Sequence, residues 1–157
     1  MIILGIDPGF AIIGVGVLKK AGPEASYVAH ECITTNKGEE FSIRLKKINQ
    51  ELDKIIKKYK PDCVAIEDLF FYKNVKTAMK VGQARGVIIL TAIQNNLSIY
   101  EYTPLQIKQA LTGYGRADKR QVQQMIKIVL KLKDIPKPDD VADALAIALC
   151  CANSIRV

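Results

Sequence analysis

The sequence predicts an α/β layer built on a mixed sheet and flanked by helices. Short apolar segments of strand length alternate with longer segments of helical periodicity. The first three strand segments follow one another through short links, as in an antiparallel meander. The two later strand segments are each preceded by a helix, which makes the sheet mixed.

Met1 to Ile6 is almost wholly apolar and stops at Asp7-Pro8-Gly9. It reads as a strand buried on both faces and ended by a turn. Ala11 to Leu18 is the second strand; Gly14 and Gly16 fall on one of its faces and leave room for a close approach. Tyr27 to Thr35 is the third, reached through a turn at Gly22-Pro23. A helix follows from about Glu39 to Lys60. Leu45, Ile48, Leu52, Ile55 and Tyr59 form its apolar stripe, and Lys46, Lys47, Lys54, Lys57 and Lys58 lie mostly off it as a solvated face. Pro61-Asp62 breaks this helix, and Cys63 to Ile66 forms a strand ending in Glu67-Asp68.

Asn74 is placed to cap a long helix to about Asn95, where Gly82 and Gly86 lie one turn apart and permit tight helix packing. Ser98 to Tyr102 is the last strand. Thr103-Pro104-Leu105-Gln106 has the form of a capping box with proline at the first helical position, opening a short helix that ends near Gly113-Tyr114-Gly115. Asp118 caps the next helix, to about Leu132. A proline-bearing link from Asp134 to Pro138 leads into a final helix from about Asp139 to Asn153.

At 157 residues, 49% of them hydrophobic, the chain suits one compact domain spanning 1–157. Its net charge of +7 points toward a polyanionic partner, with solubility as the plain alternative. Cys32, Cys63, Cys150 and Cys151 contain no C-x-x-C pair, and His30 is the only histidine. That argues against a zinc finger or redox dithiol. All four cysteines sit among apolar neighbours and are expected as buried free thiols, suited to a reducing cytoplasm. The N-terminus lacks the basic region of a signal peptide, and no apolar run is long enough to span a membrane.

Three places carry acidic groups that structure alone does not require. Asp7 ends the first buried strand and Glu67 ends the fourth. If these strands are parallel neighbours, both carboxylates leave the sheet edge where α/β proteins bind ligands. Asp140 and Asp143 are three apart and share a helix face. Asp143 lies within Val-Ala-Asp-Ala-Leu-Ala-Ile-Ala-Leu, where an ionised carboxylate is costly unless paired or metal-bound. Four convergent carboxylates raise one another's pKa, and a divalent cation reverses that penalty. Hard oxygen ligands favour Mg²⁺, with Mn²⁺ as substitute. The chemistry expected is phosphodiester hydrolysis with two metals about 4 Å apart. Singly, each signal has a plainer reading: Asp7-Pro8-Gly9 as a turn, Asp139 as a helix cap or first-turn charge, and Asp68 as a solvated neighbour of Glu67.

The chain resembles the RuvC family of Holliday-junction resolvases from end to end. The segments that carry the likeness are LGIDPGF from Leu4, VAIEDLFFYKN from Val64, VGQARGV from Val81, Pro104-Leu105-Gln106-Ile107-Lys108-Gln109, and VADALAIA from Val141. The resemblance implies a ribonuclease-H-like fold with a five-stranded mixed sheet. It also implies endonucleolytic resolution of four-way DNA junctions by a homodimer making paired, symmetric nicks, in recombination and repair. The family's four acidic positions fall on Asp7, Glu67, Asp140 and Asp143, and the implied partners are the RuvA and RuvB branch-migration proteins. The chain lacks the longer tail of some members, which leaves tail contacts open.

Phe70-Phe71-Tyr72-Lys73 follows Glu67 closely. Aromatic faces stack on exposed bases and lysine meets phosphate. By the resemblance, Phe70, with Phe71 second, is the wedge that unpairs bases at the junction centre; the alternative is that one of them packs in the core. Lys108 and Lys119 match family positions of DNA contact and catalysis. Lys119 opens a helix, where a cation opposes the dipole, so a phosphate partner explains it better than stability does. Arg85 is read either as lining a dimer interface or as solvated. The Gly113 to Lys119 stretch fails the Walker spacing. Three rival readings remain: a nuclease for RNA–DNA hybrids, a fragment of an actin-like ATPase, and a non-catalytic junction-binding module.

Overall fold

The computed structural model describes residues 1–68 and 75–155. The first three strands are β1 (Ile2–Asp7), β2 (Ile12–Ala21) and β3 (Glu24–Thr34). They form the expected antiparallel meander. Ala21 pairs with Glu24, so the turn between them is only Gly22-Pro23. Gly22 has φ +58°, a conformation that favours glycine. Helix α1 (Phe41–Tyr59) then leads to β4 (Cys63–Glu67), and helix α2 (Val75–Gln94) to β5 (Ser98–Tyr102). The sheet order is β3-β2-β1-β4-β5. β4 is parallel to both β1 and β5, so β1 is antiparallel to one neighbour and parallel to the other.

Helix α3 (Pro104–Thr112) opens with the predicted capping box. The Gln106 N–H donates to Thr103 Oγ1 at 3.2 Å, and the Thr103 N–H donates to Gln106 Oε1 at 2.8 Å. Asp118 and Gln121 make the same exchange at the start of α4 (Lys119–Val129). That helix stops short of the expected Leu132 because Lys131 turns into the left-handed region. The last helix is α5 (Asp139–Ser154). The expected cap of α2, Asn74, lies outside the described residues.

α1 and α2 cover one face of the sheet. Ile48, Leu52, Ile55 and Ile56 of α1 and Ala84, Ile88 and Ala92 of α2 pack on Leu4, Ile6, Val15, Val17, Val64 and Ile66. The other face is covered by α5, with α3 and α4 outside it. Every residue from 141 to 152 is buried except Asp143. Three glycines permit that depth. A Cβ on Gly5 would lie 2.2 Å from the Ala144 carbonyl oxygen, one on Gly14 1.9 Å from that of Asp140, and one on Gly16 2.8 Å from the Leu145 nitrogen. The room left by Gly14 and Gly16 is therefore filled by the backbone of α5. At the far end of α5, the buried Lys20 ammonium donates to the Ala152 carbonyl at 2.7 Å, satisfying the negative end of the helix.

Two expectations are corrected. Cys63, Cys150 and Cys151 are buried, but Cys32 is exposed. It lies on the edge strand β3, while α5 packs mainly over β1 and β2. Gly82 and Gly86 do not mediate a tight helix contact within the described residues, because a Cβ on either would meet nothing within 4 Å. They share the outer face of α2 with the exposed side chains of Val75, Met79, Leu90 and Ile93. No helix among the described residues is long and apolar enough to cross a membrane.

Candidate active site

The site begins at the carboxyl-terminal edge of the central strands. β1 and β4 run in parallel register with Ile6 opposite Ile66, so Asp7 and Glu67 leave the sheet side by side. On its other flank Asp7 pairs with Gly14. Gly14 in turn seats the backbone of Asp140, the second residue of α5. Asp143 follows one helical turn later on the same face. Two strand ends and one helix thus bring four acidic residues to a single edge.

Their electrostatics show the crowding. Asp7 is pushed up to about 7, first by burial and then by the charges of Glu67, Asp143 and Asp140. Burial, then Asp143, raises Glu67, and Lys108 offsets part of that. Burial raises Asp143 too, against the opposing hydrogen bond from Lys119. Lys119 Nζ donates to Asp143 Oδ2 at 3.0 Å and lies 3.4 Å from Asp139 Oδ2. Burial works against that ammonium, but its bond to Asp143 and the acidic charges raise its pKa overall. Beside the carboxylates lies a cleft of about 260 Å³ between α3, α4 and α5. Glu67, Asp143, Lys108 and Lys119 form its polar part, and Ile107, Val122 and Ala146 line the rest. Among the described residues no three His, Cys, Asp or Glu side chains are arranged to enclose one ion as they stand. The donor chemistry nonetheless fits a hard divalent cation: only carboxylate oxygens, three of which raise the pKa of Asp7, with a lysine ammonium already drawn among them.

The chain matches the model of the crossover junction endodeoxyribonuclease RuvC over residues 3–151. It belongs to the RuvC family. It is 56% identical to the crossover junction endodeoxyribonuclease RuvC of Ruminiclostridium cellulolyticum, over 100% of this chain and 95% of that one. It is 60% identical to the RuvC of Caldicellulosiruptor saccharolyticus, over 96% and 91% of the two chains. Among solved structures, Thermus thermophilus RuvC superposes with a TM-score of 0.90 at 37% identity, over 98% of this chain and 94% of that one. The same protein in complex with a Holliday junction substrate superposes at 0.89 and 35% identity, over the same shares. The five-stranded mixed sheet expected of a ribonuclease-H-like fold is thus present.

In this RuvC-family chain the structure gathers Asp7, Glu67, Asp140, Asp143, Lys108 and Lys119 at one place. Phe70, Phe71 and Lys73 lie outside the described residues. Two bystanders prove to have partners. Asp139 is a first-turn charge of α5 rather than its cap, since Pro138 holds the cap position without a side-chain bond; it shares Lys119 with Asp143 and lies 3.5 Å from Lys137. The Asp68 carboxylate stands 3.9 Å from Arg85. Arg85 is not solvated. Its guanidinium pairs with Glu101 of β5 and donates from Nε to the Glu67 carbonyl at 3.4 Å, so it ties α2 to the end of β4. This role leaves no mark in the sequence, because one acceptor is a main-chain carbonyl, which any residue supplies.

Proposed function

We propose that this chain is a crossover junction endodeoxyribonuclease, resolving four-way DNA junctions by paired symmetric nicks in homologous recombination and repair. The observation that carries the reading is the convergence of Asp7, Glu67, Asp140 and Asp143 on one sheet edge within a RuvC-family chain. Thermus thermophilus RuvC, which shares this fold, has been captured with a Holliday junction substrate. The four carboxylates would hold two Mg²⁺ ions, or Mn²⁺ in their place, which when bound supply an activated water and charge stabilisation at the leaving 3′-oxygen. The residues themselves divide the remaining work. Lys108, lining the cleft, meets a phosphate of the cut strand, and Lys119 moves from Asp143 to the same polyanion. Phe70 or Phe71 wedges the junction centre open, with Lys73 on the adjacent phosphate. The whole chain acts as one nuclease domain in the cytoplasm, beside RuvA and RuvB.

The direct test is a nicking assay on a synthetic four-way junction, with linear duplex and RNA–DNA hybrid controls. Mg²⁺-dependent cuts at symmetric positions of the junction are expected, with little cutting of either control. Preferential cutting of the hybrid would replace this reading with the rival nuclease.

The homodimer is part of the same proposal, and α2 supports it. Val75, Met79, Gly82, Gly86, Leu90 and Ile93 recur at three- and four-residue spacing, so they form one stripe, and its large members are exposed. Two such stripes facing each other about a two-fold axis would bury them. Gly86→Glu is expected to leave the fold intact, because α2 gains about 0.5–1 kcal/mol of helix propensity there. Light scattering should show the wild type as a dimer and the variant as a monomer whose nicks on the two strands are no longer paired. A wild-type monomer would refute the dimer.

A further inference from the structure

Arg44 stands in the first turn of α1 and is only 4% exposed. A cation there opposes the helix dipole, and a buried charge costs free energy unless its partners compensate. Its partners are neutral. Nε donates to Thr35 Oγ1 at 2.9 Å, and Nη2 donates to the Phe10 carbonyl at 3.1 Å. The guanidinium carbon lies 4.9 Å from the Phe10 ring centre and 6.0 Å from that of Phe41. Thr35 reinforces the same target: its hydroxyl donates to the Phe10 carbonyl at 2.5 Å, and its N–H donates to the Ala11 carbonyl at 2.9 Å. These contacts converge on the short turn between Asp7 and the start of β2 at Ile12.

We infer that Arg44 is a positioning residue for Asp7, clamping the turn that closes β1 through the Phe10 carbonyl and Thr35. This rests on Asp7 being catalytic in junction cleavage. The physical need is plain. Asp7 is the last residue of β1, so the turn that follows it sets where its carboxylate stands against Glu67 at the end of β4 and Asp140 at the start of α5. A shift of about 1 Å at a reacting group can cost on the order of 100-fold in rate. A guanidinium gives two directed donors and a flat face for the rings, which neither lysine nor an apolar residue reproduces. A mere staple between α1 and the turn would lower the melting temperature but leave the rate constant of folded molecules unchanged.

The test uses single-turnover nicking of a four-way junction at saturating protein, with Mg²⁺ titrated. Arg44→Met is expected to lower the cleavage rate constant about tenfold or more, raise the half-saturating Mg²⁺ concentration, and change junction affinity by less than about threefold. Arg44→Lys should recover part of the rate, having one fewer directed donor to place. Thr35→Val keeps the shape but removes the shared hydroxyl; it should show a smaller loss in the same step and decides the matter if Arg44→Met does not fold. Wild-type rate and Mg²⁺ dependence in the folded variants overturn the inference. Cleavage is not the sole readout: amide exchange at residues 9–12 should quicken in Arg44→Met, and unchanged exchange also overturns it. A wild type that cuts no junction defeats the functional reading instead, and the exchange data still judge the clamp.

Discussion

Asp7→Asn is expected to reduce Mg²⁺-dependent junction cleavage by about 10³-fold or more while raising the stability of the metal-free protein. Both effects follow from one carboxylate. In the folded chain Asp7 titrates near 7, against 3.8 for an unperturbed aspartate. The folded state therefore binds the Asp7 proton more tightly than the unfolded state does. Between about pH 4 and pH 7 the unfolded chain has lost that proton and the folded chain still holds it, so stability falls as pH rises through this window. Above pH 7 the penalty is complete and flat. A shift this size converts to about 4 kcal/mol at face value; relaxation and partial solvent access reduce it to on the order of 2 kcal/mol. Asparagine keeps the shape without the charge. At pH 8 in EDTA, Asp7→Asn should melt higher than the wild type, and the gap should narrow toward pH 4. The variant should retain junction binding, because the phosphate-facing lysines are untouched. A variant that melts lower at pH 8, or that still cuts, would remove Asp7 from the proposed site.

What could be read in advance, and what could not, divides along the range of the interactions. Asp7 and Glu67 were legible because a buried strand ending in an acid is a local pattern, and the parallel register of β1 and β4 then places them together. Asp143 was legible because it interrupts an otherwise buried helix. The capping boxes at Thr103 and Asp118 involve only four consecutive residues each. Gly14 and Gly16 announced a close approach without naming the element that makes it. Gly82 and Gly86 carried the same signal, yet no described part of the chain meets them; small residues look alike whether their partner is internal or external. Cys32 was misplaced because apolar neighbours in sequence do not reveal that β3 is an edge strand. Arg44 and Arg85 were missed or blurred for another reason. Each holds a main-chain carbonyl beside the site, and carbonyls have no sequence signature.

Gly14→Ala is the sharpest test of how the fold builds the site. Gly14 does not carry a positive φ, so alanine suits its strand backbone at least as well as glycine. The cost is wholly steric. The added Cβ would lie 1.9 Å from the Asp140 carbonyl oxygen, 2.2 Å from its carbon and 2.8 Å from the Val141 nitrogen. All three are backbone atoms, so no rotamer change relieves the clash. Ordinary contact begins at 3.4 Å, which requires the start of α5 and β2 to part by about 1.5 Å. Overpacking of this kind costs about 3 kcal/mol. The displacement falls on Asp140 and acts at the strand position paired with Asp7, so folded molecules should cleave about 100-fold more slowly. Gly38→Ala is the control: its Cβ would meet only the Asn36 side chain at 3.6 Å, an ordinary contact, so melting and cleavage should both stay close to wild type. Thermal melts paired with single-turnover cleavage separate the two effects. If Gly14→Ala melts and cleaves like the wild type, α5 is not seated on Gly14, and the placement of Asp140 needs another cause.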